Sequence, residues 1–263
     1  MKAIVQDRFG SPDMLELREL DEPEVGDGDV LVRVRAASVN PADWYAMMGV
    51  PYVARPQMGL RKPRTTTPGL DLAGVVAAVG NGVTHVRPDD EVFGASTGTL
   101  AEYVTAAEDA LVLKPPNLSF EQAAAVPVAA LTALQGLRDK GRIRPGQQVL
   151  INGASGGVGT FAVQLARWFG AEVTGVCSTR NVDLVGSLGA DRVVDYTQKA
   201  RSQDLLVLRE LLEAGTLTPV VERSYPLAEA AEALRHLGAG HARGKLAIVV
   251  GEPAREHGVD PAG

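Results

Sequence analysis

The residues best suited to chemistry lie in a glycine-rich turn within the stretch VLINGASGGVGTFAVQLARWFGA, residues 149–171. The segment GASGG at 153–157 matches G-x-S-x-G, the strand-to-helix turn that presents a nucleophilic serine in α/β-hydrolases. It also fits a glycine-rich loop that holds phosphate groups with its backbone amides. The first interpretation makes Ser155 a nucleophile, whereas the second makes it part of a scaffold. The surrounding sequence has to decide between them.

The hydrolase interpretation needs a serine, an acid and a histidine in that chain order. Ser155, Asp195 and either His236 or His241 satisfy the order. However, the N-terminal region lacks an HGGG-like oxyanion segment, and it shows strand patterns where a hydrolase would already alternate strands with helices. The sequence therefore disfavours a hydrolase.

The phosphate-binding interpretation explains more of the turn, which aligns as A-x-G-x-x-G. Gly156 allows close approach of a pyrophosphate, and Gly159 lets the following helix pack tightly on the strand. A helix that starts near Val158 directs free N–H groups and its positive end at the phosphates. A glycine turn without a ligand remains the alternative. The predicted cofactor-binding residues of the turn are Ala154, Ser155, Gly156, Gly157, Val158 and Gly159.

The next strand indicates which dinucleotide is bound. About twenty residues beyond the glycines, an NAD site has Asp or Glu for the ribose 2′-hydroxyl. Here the strand ends in Cys177-Ser178-Thr179-Arg180. Hydroxyls and a guanidinium suit a 2′-phosphate, because charge-assisted hydrogen bonds are strong. The sequence favours NADPH over NADH, held by Ser178 and Arg180; alternatively, Arg180 is a solvated residue that starts a helix.

Composition excludes several classes of protein. The 263 residues carry a net charge of −6, which argues against nucleic-acid or anionic-membrane partners and favours small molecules. The single cysteine, Cys177, allows no internal disulfide and no thiolate-rich zinc site, so we expect a cytoplasmic protein. The N-terminus lacks a signal-peptide core, and the apolar stretch 123–137 falls short of the roughly 20 residues that a membrane span needs.

Hydrophobic patterning divides the chain into three parts. Alternating apolar and polar residues up to about residue 115 predict a compact, antiparallel, barrel-like β domain. Ser119 and Gln122 have capping-box spacing and open a helix that Pro127 interrupts or restarts. Strands and helices then alternate as one βαβαβ unit of a parallel sheet. From residue 203 we expect a helix, a strand, a helix and a strand, followed by a frayed end at 251–263.

Several motifs in order resemble the medium-chain dehydrogenase/reductase superfamily, in its zinc-independent, zeta-crystallin-like quinone oxidoreductase branch. They are AASVNPADWYAMMG, PGLDLAGVVAAVG, DEVFG, AAAVPVAALTALQGL, VLINGASGGVGTFAVQLA, GADRVVDYT and GHARGKLAIVV. The resemblance implies an α/β plus β fold, a GroES-like β-barrel joined to a Rossmann parallel sheet. The implied divisions are a barrel domain at 1–118, a Rossmann domain at 119–202 and a segment returning to the barrel domain at 203–263.

Two departures from the zinc-dependent relatives argue against a metal. Gly69-Leu70-Asp71 replaces their Gly-His-Glu, and no cysteine precedes Cys177. Both changes remove ligands that a catalytic zinc would need, so no metal is expected. We interpret the four histidines as structural or solvated; they are His85, His236, His241 and His257.

The resemblance also implies the site residues. Asn40, Asp43 and Tyr45 occupy positions that line the nicotinamide pocket, Thr132 lies near the cofactor carboxamide, and Tyr196 matches a residue beside the adenosine phosphate. The implied activity is NADPH-dependent hydride transfer to a quinone or an α,β-unsaturated carbonyl, with Tyr45 as the candidate hydrogen-bond donor. Alternatively, Asn40 forms a turn, Asp43 caps the next helix and Tyr45 only packs.

The sequence contains no pattern for the second half of the Rossmann domain. Only one βαβαβ half precedes residue 203, which leaves a gap of about 60–80 residues if each βαβ unit takes about 30. Strand 149–152 would then form an exposed apolar edge. A homodimer is left open, because family dimers commonly join through the missing half. Two hypotheses follow: an active reductase, or a non-catalytic nucleotide-binding remnant of the family.

Overall fold

A computed structural model describes residues 1–197, 209–238 and 245–250. The chain divides into two compact units, Met1–Thr197 and Gln198–Gly263. Predictions for His241, His257, the helix residues 204–208 and the frayed end at 251–263 lie outside the described residues. Within the described part of the chain, no helix is both long and apolar enough to cross a membrane.

The N-terminal part of the first unit is built from antiparallel strands. The strands are β1 Lys2–Val5, β2 Glu16–Glu19, β3 Asp29–Ser38, β4 Asp71–Val79, β5 Glu91–Ala95, β6 Tyr103–Ala107 and β7 Leu111–Leu113. Five of them form a sheet in the order β6-β3-β4-β5-β7, and β1 pairs with β2 beside it. Alternate side chains of the sheet form a valine-rich core that includes Val30, Val32, Val76 and Val92.

The predicted β domain is therefore present, and its hydrogen bonding is open. Strands β6 and β7 occupy the two edges of the sheet, so the described strands do not close into a ring. A single bridge between Ala3 and Ala101 connects β1 to the chain just before β6. Register shifts in β3, between Leu31 and Val32 and between Val34 and Ala36, mark bulges that bend the strand.

Four helices accompany this sheet: α1 Pro41–Met48, α2 Arg55–Met58, α3 Phe120–Ala124 and α4 Pro127–Gln135. The predicted capping box is confirmed, since the Ser119 Oγ accepts from the Gln122 amide at 3.2 Å and the Gln122 side chain accepts from the Ser119 amide at 2.9 Å. The predicted break is confirmed too, because a new helix begins at Pro127. A π-helical segment, Gly136–Lys140, continues α4.

The predicted βαβαβ unit follows. It consists of β8 Gln148–Asn152, α5 Gly157–Trp168, β9 Glu172–Cys177, α6 Val182–Ser187 and β10 Arg192–Asp195. The three strands are parallel in the order β10-β9-β8, the order of the first half of a Rossmann sheet. Helices α5 and α6 cover one face, where Val163, Val173 and Val185 are buried together.

The described residues of the first unit leave the other face and one edge of this sheet uncovered. Leu150 and Val194 alternate with the buried residues along their strands and are 67% and 48% exposed. Strand β8 pairs only with β9 among the described strands. The expectation of an exposed, apolar edge at 149–152 is therefore confirmed within the described residues. Parallel sheets are normally covered on both faces, so this half-sheet lacks part of its usual packing.

The second unit contains a smaller parallel pair of strands. Residues 209–213 are helical and are labelled α7; β11 Val221–Pro226, α8 Ala230–Gly238 and β12 Lys245–Val249 follow. Strands β11 and β12 are parallel, with α8 as the connecting helix. The buried Tyr225 places its hydroxyl 2.7 Å from His236 Nδ1. This contact gives His236 a structural role, as the sequence predicts.

The close approach of α5 to the end of β8 depends on one glycine. A Cβ atom at Gly159 would lie 2.1 Å from the Gly153 carbonyl oxygen and 2.8 Å from the Ala154 Cα. Both neighbours are backbone atoms, so they cannot move aside as a flexible side chain would. Gly157, two residues earlier in the same helix, has open space where its Cβ would be.

We expect Gly159→Ala to destabilise the protein by about 1–3 kcal/mol, because α5 must shift to accommodate the methyl group. Gly157→Ala is the matched control, and its effect should be neutral or stabilising by up to about 1 kcal/mol through helix propensity. Thermal unfolding followed by circular dichroism measures both. Equal melting temperatures for the two variants would contradict the packing argument.

Candidate functional site

The glycine turn joins β8 to α5 and exposes backbone amides. Gly153 has φ +71°, a conformation that favours glycine, and Gly156 is the N-cap of α5. The amide of Thr160 bonds to the Gly156 carbonyl at 2.9 Å, which leaves the preceding helical N–H groups available to a ligand. No acidic residue lies in the first turn of α5. The turn therefore fits a diphosphate in both backbone geometry and charge.

Two of the predicted turn residues have other roles. Ala154 is fully buried and its amide donates to the Val176 carbonyl at 3.0 Å, so it fixes the turn to β9. The Ser155 hydroxyl accepts a hydrogen bond from the Asn181 Nδ2 at 3.0 Å. The same Nδ2 also reaches the Ser178 hydroxyl at 3.1 Å. Asn181 thus joins the glycine turn to the end of β9.

Asn181 is not among the site residues predicted from the sequence. Its only signal was a short polar residue immediately after Arg180 at the start of a helix, which is also typical of a simple helix start. Its bond to Ser155 spans 26 positions of the chain, so its partner is visible only in the fold. The structure adds Asn181 to the candidate nucleotide site.

The candidate residues of the hydrolase interpretation have other hydrogen-bond partners among the described residues. Ser155 bonds to Asn181, the Asp195 carboxylate accepts from Thr197 at 2.7 Å, and His236 bonds to Tyr225. Each member of the candidate triad therefore has a partner outside the triad.

Ser178 and Arg180 lie directly after β9, where a dinucleotide ribose is bound in Rossmann folds. Arg180 is exposed and forms no ion pair among the described residues. Tyr196 is exposed as well, and its amide bonds to the Cys177 carbonyl at 3.1 Å, which sets it beside the same strand end. Cys177 itself is buried in the core, in agreement with a packing role.

The candidate acid of the hydrolase interpretation lies near this loop. Asp195 is opposite Cys177 in the parallel register of β10 and β9. Hydrogen bonds from Thr197 and then Thr179 lower the pKa of Asp195, so this carboxylate is charged. The Thr179 and Thr197 hydroxyls also bond to each other.

The predicted nicotinamide-pocket residues begin helix α1. Asn40 is its N-cap, and the backbone amide of Asn40 donates to the Asp43 Oδ2 at 2.6 Å. The helix-capping role of Asp43 is therefore present. Burial is the main cause that raises the pKa of Asp43, and hydrogen bonds from Asn40 oppose it. Tyr45 is 50% exposed and makes an edge contact with Trp44, their ring centroids being 5.2 Å apart.

The Asp71 carboxylate ties this region to helix α4, although the sequence analysis treated it only as a departure from a metal-binding motif. Asp71 is fully buried at the start of β4. It accepts from Ser38 Oγ at 2.7 Å, from Asn40 Nδ2 at 2.8 Å and from the Val128 amide at 2.9 Å. One turn later, the exposed Thr132 hydroxyl donates to the Val128 carbonyl at 2.7 Å.

Two cavities flank α1. One of about 260 Å³ is lined by Gln6, Asp43, Met47, Arg64 and Thr97, among others. The other, of about 400 Å³, is more apolar and is lined by Leu15, Val39, Asn40, Asp43 and Trp44, among others. Asp43 lines both. In the described ranges, no group of three or more His, Cys, Asp or Glu side chains is placed to hold a metal ion.

The geometry agrees with what the chain is similar to. The family described as "Alcohol dehydrogenase GroES-like domain" matches residues 26–116, and the family described as "Zinc-binding dehydrogenase" matches residues 187–248. A quinone-oxidoreductase homolog from Spinacia oleracea is 40% identical over 196 residues, covering 71% of this chain and 58% of that protein. The NADPH-dependent alkenal/one oxidoreductase of Arabidopsis thaliana is 38% identical over 216 residues, covering 76% of this chain and 53% of that protein.

The fold agrees as well. The solved structure of the quinone oxidoreductase from Coxiella burnetii superposes with a TM-score of 0.69 at 29% identity, covering 94% of this chain and 98% of that one. The chain spans little more than half the length of the two curated relatives above. The motifs, the GroES-like sheet and the Rossmann-type parallel sheet together show that this chain belongs to the medium-chain dehydrogenase/reductase superfamily, among relatives of the quinone oxidoreductase type.

Proposed function

We propose that this protein is an NADPH-dependent oxidoreductase that transfers hydride to a quinone or an α,β-unsaturated carbonyl. The observation that carries the proposal is the open turn at Gly153–Gly159, whose free amides lie at the start of α5 and beside the Ser178–Arg180 loop. The names of the relatives support the acceptor class, since they include quinone oxidoreductases and an alkenal/one oxidoreductase.

Backbone amides of Gly157, Val158 and Gly159 would hold the diphosphate at the helix N-terminus. Ser178 and Arg180 would bind the 2′-phosphate, and Tyr196 would lie beside the adenosine phosphate. Bound NADPH would supply the hydride. The proposed preference for NADPH over NADH rests on Arg180, whose guanidinium has no competing ion pair among the described residues.

Asn40, Asp43, Tyr45 and Thr132 would line the nicotinamide end. Without a metal to polarise the acceptor carbonyl, a hydrogen-bond donor has to stabilise the developing negative charge. Tyr45 suits this role because its side chain is half exposed and its neighbour Trp44 lines the apolar cavity, although Tyr45 itself does not line it. Asp43 would hold Asn40 in place, because its carboxylate accepts from the backbone amide of Asn40.

We further propose that the reaction needs no zinc, that the protein acts in the cytoplasm on small molecules, and that it binds neither nucleic acid nor membrane. The negative net charge and the single cysteine support these proposals. The domain division at 1–118, 119–202 and 203–263 is also a proposal. A homodimer of the usual family type would lack the surface that the second Rossmann half supplies.

A non-catalytic nucleotide-binding protein is the second candidate, favoured by the three-stranded sheet and its uncovered edge. Steady-state NADPH oxidation with a panel of quinones and enones separates the two. Turnover that depends on Tyr45 or Asn40 supports the enzyme, whereas NADPH binding without turnover supports the second candidate.

The cofactor assignment can be tested at Arg180. We expect Arg180→Ala to weaken NADPH binding by about tenfold or more and to change NADH binding much less, since one charge-assisted hydrogen bond contributes roughly 1.5–3 kcal/mol. Titration calorimetry with both cofactors measures the difference. Arg192→Ala is the control, because Arg192 begins β10 at the opposite end of the parallel strands. Equal losses for NADPH and NADH at Arg180→Ala would defeat the assignment.

The donor role can be tested at Tyr45. We expect Tyr45→Phe to lower kcat by about 10²-fold or more while NADPH binding is retained, because general-acid groups contribute about 10²–10⁴. Stopped-flow NADPH oxidation at saturating acceptor measures the step. Tyr103→Phe removes a hydroxyl from β6, outside the proposed site, and should leave kcat unchanged. An unchanged kcat in Tyr45→Phe would assign proton donation to another group or to water.

A further inference from the structure

Asp71 is placed to control the nicotinamide end of the proposed site without touching a ligand. It is fully buried, and its three hydrogen-bond donors come from three different elements: the end of β3, the N-cap of α1 and the first turn of α4. Two of those elements carry residues proposed to contact the nicotinamide, Asn40 and Thr132. The carboxylate therefore connects two proposed contacts that lie 92 positions apart in the chain.

The two carboxylate oxygens of Asp71 accept from different donors. Oδ2 accepts from the Ser38 hydroxyl and from the side-chain amide of Asn40, and Oδ1 accepts from the backbone amide of Val128. An amide group has one donor end and one acceptor end, so a bond from Asn40 Nδ2 fixes the orientation of the whole Asn40 carboxamide. The Val128 N–H belongs to the first turn of α4, whose backbone amides have no acceptor within the helix. A negative charge is favourable at that position.

We propose that Asp71 is a positioning residue, which orients the Asn40 carboxamide and anchors the turn of α4 that carries Thr132, and so aligns the nicotinamide of bound NADPH. The inference rests on the proposed function, because it takes Asn40 and Thr132 as nicotinamide contacts. Asp71 itself contacts only protein groups and takes part in no bond-making step.

The substitution Asp71→Asn isolates this role because it keeps the size of the side chain but replaces one acceptor with a donor. If its oxygen still accepts from Val128, its NH₂ faces the NH₂ of Asn40 and the hydroxyl of Ser38. If the amide is turned the other way, the Val128 amide loses its acceptor. Either Asn40 or α4 must therefore change, and one of the two nicotinamide contacts is disturbed.

The test compares whole-cofactor binding with binding of its adenosine half. We expect Asp71→Asn to weaken NADPH by about tenfold, as for one lost hydrogen bond, and to leave the Kd of 2′,5′-ADP within about twofold. Calorimetry with each ligand gives both values without any turnover. Ser38→Ala is the matched control: it removes a donor from the same carboxylate oxygen but keeps the bonds from Asn40 and Val128, so both Kd values should be preserved.

Three outcomes would overturn the inference: unchanged NADPH binding in Asp71→Asn, equal weakening of NADPH and 2′,5′-ADP, or a Ser38→Ala loss as large as that of Asp71→Asn. If Asp71→Asn does not fold, a double-mutant cycle between Asn40→Ala and Thr132→Ala replaces it, with NADPH affinity as the readout. Coupled losses support a connection through Asp71, and additive losses contradict it.

Failure of the proposed function has a different signature. A wild-type protein that binds NADPH but reduces no quinone or enone refutes the proposed activity, while the Kd comparison still decides the role of Asp71. A wild-type protein that turns over while Asp71→Asn binds NADPH normally refutes the positioning role and leaves the activity standing.

Discussion

The nucleotide-binding half of the candidate site depends on a backbone contact between a strand end and a helix. Gly159 brings α5 so close to the Gly153 carbonyl that no side chain fits between them. That approach fixes the start of α5 at the carboxyl end of β8, where the free amides of its first turn are gathered in one place. A similar constraint operates on β9, where a Cβ at Gly175 would lie 2.4 Å from a Val185 methyl. Small residues thus bring both helices against the sheet.

Helix α4 links this half of the site to the other. At its start, the Val128 amide is bound to Asp71 of the antiparallel sheet. Further along, Ala133 is buried in the same core as Val163 of α5 and Val173 of β9. One short helix therefore has one end fixed by a hydrogen bond to the GroES-like sheet and its body fixed by apolar packing on the Rossmann-type sheet. A shift of α4 would change the position of either side of the site relative to the other.

The sequence was sufficient where the signal is local. Ser119 and Gln122 are three residues apart, and their mutual hydrogen bonds follow from that spacing. The glycine turn and the parallel order of β8, β9 and β10 follow from the βαβαβ pattern in the same way. Asn181 and Asp71 could not be predicted, because their partners are set by tertiary placement. Ser38 meets Asp71 only because the register of β3 and β4 makes them opposite residues.

The same distinction explains why Asp71 is easily misjudged from sequence. Where zinc-dependent relatives carry a histidine and a glutamate, this chain has Leu70 and Asp71, which reads as a loss of ligands. In the fold, the carboxylate is fully buried and accepts three hydrogen bonds, which offset the cost of removing a charge from water. An apolar residue there would leave the Asn40 amide and the Val128 N–H without their acceptor. The Asn40 side chain and the Val128 N–H therefore require an acceptor at position 71, whether or not the site holds a metal.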